Sequence, residues 1–162
     1  MEEKVYVIDT SGFIVGVEFT HGKMITVPGV VDEIIDSTSR LRFELMHDAG
    51  LRVEPPLGTF RDIIASAAES TGDATVLSET DIDVLAKALE LAQGSQVILI
   101  TDDYAIQNVA SKLSIEYRPA GSSGIAKEVV WEMKCTGCGA VVTSGSDCPV
   151  CGSSIRRRRV GN

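Results

Sequence analysis

Two sets of residues in this 162-residue chain have types and spacings that suit metal chemistry. The first is made of thiols. All four cysteines fall within 17 positions, as Cys135-Thr-Gly-Cys138 and Cys148-Pro-Val-Cys151, each pair followed by a glycine. A tight turn inside each pair brings two thiolates to one point, and the glycine after it permits a positive φ. Four thiolates suit a tetrahedral Zn²⁺ ion; an iron centre of the rubredoxin type uses similar knuckles and stands as the competing ion. With four cysteine ligands no coordination position is left open, so the expected role is structural. A segment of about 30 residues cannot build its own core, and the metal supplies its folding energy.

The second set is acidic: Asp9, Glu33, Asp81 and the pair Asp102-Asp103. Each has a local explanation. Ser78-Glu79-Thr80-Asp81 reads as a capping box, Glu33 suits a helix dipole, and Asp9 and Asp103 suit caps or turns. Together they need more than that, because clustered carboxylates cannot all stay ionised without a partner. Mg²⁺ or Mn²⁺, hard cations that prefer oxygen, is the expected partner. Such a site suits phosphodiester hydrolysis, where a metal lowers the pKa of water and stabilises charge on phosphoryl oxygens. His21 and His47 lie away from these positions in the sequence, which disfavours histidine-based chemistry.

The elements that must position these residues alternate. Val5–Ile8, Leu51–Val53, Gln96–Ile100 and Ser114–Tyr117 read as strands. Helices are expected from Val27-Pro28-Gly29, with Val30, Val31, Ile34 and Ile35 as one apolar face; from Ser37 to His47; from a Thr59 cap to Ser70; from a Ser78 or Thr80 cap through Ala92; and from Tyr104 to Leu113. This is an α/β pattern with a mostly parallel sheet. Asp9 and Asp102-Asp103 follow strands, and Glu33 and Asp81 fall in first turns of helices, so the carboxylates are predicted to meet at the carboxyl edge of the sheet. Asp83, two positions past Asp81, points elsewhere on a helix. Thr10, Ser11 and Thr101 are candidates to orient carboxylates or water.

The Gly/Ser stretch after Pro119 divides the chain into residues 1–124 and 125–162, the latter holding a hinge, the cysteine unit and an arginine tail. The formal net charge of −8 is unevenly shared: residues 129–162 carry five Lys/Arg against two acids, and the remainder carries all the negative excess. The acidic part repels nucleic acid and the tail attracts it. Arg156, Arg157, Arg158 and Arg159 are candidate phosphate contacts, although such a run also occurs as a solvated end. Trp131 reads as a packing residue in preference to a base-stacking platform. No apolar run approaches the ~20 residues of a membrane span, and the acidic start is unlike a signal peptide, so a cytoplasmic location is expected.

The segments VIDTSGFI (7–14), VPGVVDEI (27–34), LSETDIDVLAKALEL (77–91) and ILITDDYAIQNVA (98–110) resemble the successive motifs of PIN-domain nucleases. That resemblance implies a metal site built from Asp9, Glu33, Asp81 and Asp103, with Asp102 as neighbour or co-ligand. A PIN-like sheet followed by a zinc ribbon is similar, over nearly the whole chain, to the archaeal Nob endonuclease family. The resemblance implies a metal-dependent endoribonuclease that cuts precursor rRNA at the 3′ end of the small-subunit rRNA. It also implies Mn²⁺ or Mg²⁺ as catalytic ion and action on a pre-ribosomal particle; in-line attack by water is expected to leave 5′-phosphate and 3′-hydroxyl ends. No membrane partner and no nucleotide cofactor are expected. Two alternatives stay open: a toxin-like PIN ribonuclease acting on tRNA or mRNA, and a non-catalytic RNA-binding assembly factor.

Overall fold

The computed structural model describes residues 3–17, 21–121 and 130–160. Five strands form one wholly parallel sheet in the order β3-β2-β1-β4-β5. Their ranges are β1 Val5–Ile8, β2 Lys23–Thr26, β3 Arg52–Val53, β4 Val97–Ile100 and β5 Tyr117–Arg118. β1 and β4 are central and nearly all apolar, and Val7, Ile8, Ile98 and Leu99 are fully buried, as expected of strands covered on both faces. Helices α1 Thr10–Val15, α2 Pro28–Glu33, α3 Ser37–Asp48, α4 Gly58–Thr71, α5 Glu79–Leu91 and α6 Tyr104–Lys112 flank it.

The chain builds outward from β1 through β2 to β3, then returns to the other side of β1 for β4 and β5. The strand order therefore reverses between β1 and β4, and the crevice beyond their carboxyl ends is where ligands bind in such sheets.

A second sheet, in the order β7-β6-β8, is antiparallel: β6 Val130–Cys135, β7 Val141–Val142 and β8 Ile155–Val160. It carries the cysteines. The expected boundary at 124 and the hinge after it lie outside the described residues.

Several local expectations are corrected. Neither the helix Thr10–Val15 nor the strand Lys23–Thr26 was foreseen. Both are too short to display a period. α4 is capped by Leu57 and not by Thr59, which lies inside it. β5 is confined to Tyr117–Arg118. The apolar face of α2 also breaks: Ile34 turns extended (ψ 106°) and stays buried, whereas Ile35 is 93% exposed. The arginine tail is the strand β8. Among the described residues no helix is long and apolar enough to cross a membrane.

Candidate active site and metal centre

Asp9 ends β1 and stands at the N-cap position of α1, yet its side chain makes no capping bond. It is 6% exposed and accepts a hydrogen bond from the Thr101 hydroxyl at 2.8 Å. Thr101 follows β4, and its hydroxyl oxygen also accepts the Asp103 N–H at 3.1 Å. Its carbonyl accepts from the fully buried Gln107 amide at 2.7 Å. One threonine thus ties the ends of the two central strands together.

Asp103 is the N-cap of α6 and receives the N–H groups of Ala105 and Ile106 on one oxygen. Asp81 closes the capping box with Ser78 at the start of α5. For these two acids the local role and a place in the site coexist, because a carboxylate has lone pairs to spare.

Glu33 does not lie in a first turn. It is the last residue of α2, where a negative charge opposes the helix dipole, so the dipole does not account for it. It accepts the Thr10 hydroxyl at 2.8 Å. The α2 helix approaches α5 closely at Gly29, where a Cβ would press on the Thr80 side chain. That approach brings the Glu33 helix against the helix bearing Asp81.

The electrostatics link the four. Burial, opposed by the Thr101 and Thr10 hydrogen bonds, raises the Asp9 carboxyl from 3.8 to about 6, and the charges of Asp81 and Asp103 push the same way. The Asp81 carboxyl is also raised, first by burial, with Asp103 and Glu33 adding to it and the Ser78 bonds opposing. Asp9, Glu33, Asp81 and Asp103 therefore share one negative field at the β1–β4 edge, although among the described residues only the cysteines stand close enough together to enclose an ion as they are.

Asp102, next to Asp103, has different partners. Both its carboxylate oxygens accept the Gly121 N–H, and its own N–H donates to Ser11 Oγ at 2.9 Å. Asp83 pairs with Arg61 at 2.6 Å, away from the cluster.

The cysteines converge. Their four Sγ atoms lie within 4.8 Å of one another, with Cys135–Cys151 at 3.4 Å and Cys138–Cys148 at 3.6 Å. Four sulfurs about 2.3 Å from one tetrahedral ion would stand about 3.8 Å apart, so the set fits a metal ion. Knuckle N–H groups favour the thiolate, although at Cys138, where the Ala140 N–H also pulls down, the neighbouring sulfurs, Cys148 first, push the thiol up to about 11. The N–H groups of Cys151 and Val150 pull the Cys148 thiol down, and the Ser153 side chain and N–H bring Cys151 to about 6.

The four arginines divide by strand alternation. Arg156 and Arg158 lie with Lys134 along a cleft of about 450 Å³ beside the Cys135–Gly139 knuckle. Arg157 faces inward, paired with Asp73 and lying over the Trp131 ring at 4.5 Å. Arg159 is exposed opposite Trp131. Sequence reasoning missed Gln107, Asp73 and Lys134. Gln107 carried a signal, being polar among the apolar residues of α6.

Residues 6–91 match the family described as the PIN domain of ribonuclease. Endoribonuclease Nob1 of Archaeoglobus fulgidus is 45% identical over 160 residues, 98% of this chain and 93% of that protein. Ribonuclease VapC1 of Thermoplasma acidophilum is 35% identical over 94% of this chain and 77% of its own length. The 20S-pre-rRNA D-site endonuclease nob1 of Schizosaccharomyces pombe is 30% identical over 125 residues, 75% of this chain and 31% of that protein.

Proposed function

The chain belongs to the Nob1 family of PIN-domain endoribonucleases, and from that premise we propose that it cuts precursor rRNA at the 3′ end of the small-subunit rRNA, within a pre-ribosomal particle in the cytoplasm. The observation that carries the cutting site is the Thr101–Asp9 bond, which gathers a buried carboxylate and Asp103 at the strand-order reversal. That the fission yeast relative is a 20S-pre-rRNA D-site endonuclease supports the choice of substrate.

Asp9, Glu33, Asp81 and Asp103 would hold one or two Mn²⁺ or Mg²⁺ ions, and the four cysteines would hold Zn²⁺. The divalent ion supplies Lewis-acid stabilisation of the phosphoryl oxygens and a lowered pKa for water. The protein's own groups do the rest. Thr101 and Thr10 fix the carboxylates of Asp9 and Glu33. The Ala105 and Ile106 N–H groups hold one oxygen of Asp103. Lys134, Arg156 and Arg158 offset the repulsion between RNA and the acidic domain. Residues 1–124 act as the nuclease unit and 125–162 as the RNA-holding unit.

The test is cleavage, with Mn²⁺, of RNA spanning the 3′ end of the small-subunit rRNA precursor, free and in the particle, with the cut mapped to the nucleotide. A single cut at the mature end, lost in Asp9→Asn and in chelator, supports the proposal. Equal cutting of tRNA would favour a toxin-like ribonuclease. Metal-independent RNA binding without cutting would favour an assembly factor.

A further inference from the structure

Asp73 is a carboxylate at 1% exposure on the turn that follows α4. One of its oxygens, Oδ2, accepts the Thr71 hydroxyl at 2.7 Å and the Asn108 amide at 2.6 Å, both from the nuclease domain. The other, Oδ1, accepts the Arg157 guanidinium, which comes from β8 of the ribbon, 84 positions later. The same guanidinium lies over the Trp131 ring of β6 at 4.5 Å. Gly72, beside Asp73, has φ +78°, and a Cβ there would collide with the Trp131 backbone. The ribbon backbone therefore rests directly on the end of α4. A buried carboxylate whose charge is met from another domain strongly disfavours separation, because parting leaves the charge without its counterion.

The strand register gives this contact a consequence. Arg157 and its cross-strand neighbour Met133 share the face turned to the nuclease, while Lys134, Arg156 and Arg158, with the single acid Glu132 opposite Arg158, belong to the alternate positions. The cationic face is thereby held in a fixed orientation relative to the acidic edge.

We propose that Asp73 and Arg157 are positioning residues that lock ribbon and nuclease domain into one rigid body, and that the lock sets the distance along bound RNA between the ribbon's cationic face and the cut. This rests on the RNA-cleaving reading above. Lost docking leaves two units joined by a chain segment, and the cut then spreads over neighbouring nucleotides.

Asp73→Asn is the discriminating variant. An asparagine oxygen in the Oδ2 position keeps the Thr71 and Asn108 bonds, so the nuclease domain retains its own contacts. Its NH₂ group then faces Arg157, donor against donor, and the lock opens. The first measurement is ¹⁵N relaxation of the zinc-loaded full chain. The wild type is expected to give one rotational correlation time for both domains, and Asp73→Asn two, with the ribbon faster. The second is cleavage with Mn²⁺. Asp73→Asn is expected to cut a short unstructured RNA within about twofold of the wild-type rate. On the precursor-spanning RNA it is expected to lose the single cut, with kcat/KM lowered about tenfold or more. Arg157→Lys, which keeps the charge but loses the planar fork, is expected to restore part of the precision that Arg157→Ala loses. Two correlation times in the wild type, or an unchanged single cut by Asp73→Asn, would overturn the proposal. If neither protein cuts any RNA, the nuclease reading and the distance-setting role fall together, while relaxation still reports the docking.

Discussion

Thr101 and Asp9 lie 92 positions apart in the chain and 2.8 Å apart in the structure, hydroxyl to carboxylate, at the ends of the two central strands. The same hydroxyl accepts the Asp103 N–H, so a single side chain sets the relative position of two acids.

Replacing Thr101 with Val keeps the side chain's shape and removes that hydroxyl. Cleavage is expected to fall by about 10- to 100-fold, as when an outer partner of a metal ligand is lost. The apparent affinity for Mn²⁺ should fall with it. The Asp9 carboxyl loses a bond that lowers its pKa, so the acid limb of the pH–rate profile should move to higher pH. Metal titration and a pH–rate series check both.

Asp9→Asn should abolish cutting and at the same time stabilise the metal-free protein. In the native state Asp9 binds its proton more tightly than in the unfolded chain, with a pKa raised from 3.8 to about 6. Metal-free stability therefore falls as pH rises from about 4 to about 6, and the full penalty persists above that. About two pKa units correspond to about 3 kcal/mol. In chelator, the variant should unfold at a higher denaturant concentration than the wild type at pH 7, and at nearly the same concentration at pH 3.5. Equal midpoints at pH 7 would show that Asp9 is not strained by burial.

Gly29→Val tests the packing that brings Glu33 toward Asp81. The side chain would meet Thr80 and push α2 away from α5. Overpacking of this kind costs about 1–3 kcal/mol, and cleavage should fall about tenfold or more. Thermal denaturation and initial rates report the two effects separately. A drop in stability without a drop in rate would detach Gly29 from the site.

The cysteine centre should hold one metal ion per chain, released by a strong chelator or by Cys148→Ser. Its loss should unfold residues 130–160 while the parallel-sheet domain keeps its cooperative transition. Affinity should weaken on acidification, as the thiolates take up protons. Metal analysis and amide exchange would check this, and exchange protection of β6 and β8 that survives chelation would contradict it.

How much could be read in advance depended on how local each determinant is. The convergence of the four cysteines was legible because the members of each pair are only three positions apart. Ser78 as a cap and Val5–Ile8 as a buried strand were legible for the same reason. The strand Lys23–Thr26 and the six-residue α1 were not, because four to six residues hold too little periodicity to tell a strand or a helix from a turn.

The adjacent acids Asp102 and Asp103 are alike in sequence. They separate only because the chain leaves β4 with Asp103 as the α6 cap and Asp102 turned to Gly121. Four consecutive arginines likewise carry no apolar alternation that would announce β8. Pairing with β6 is what turned Arg157 toward Asp73 and left Arg156 and Arg158 facing solvent.

The sequence by itself determined which chemistries were available: a thiolate set at fixed short spacing, and carboxylates at strand and helix ends. Only the tertiary structure decided which carboxylates share a field, which arginine is spent on docking, and that Glu33 works against its helix dipole. Those outcomes depend on the directions in which side chains leave distant strands, and directions across 92 or 84 positions are set by packing and not by neighbours in the chain.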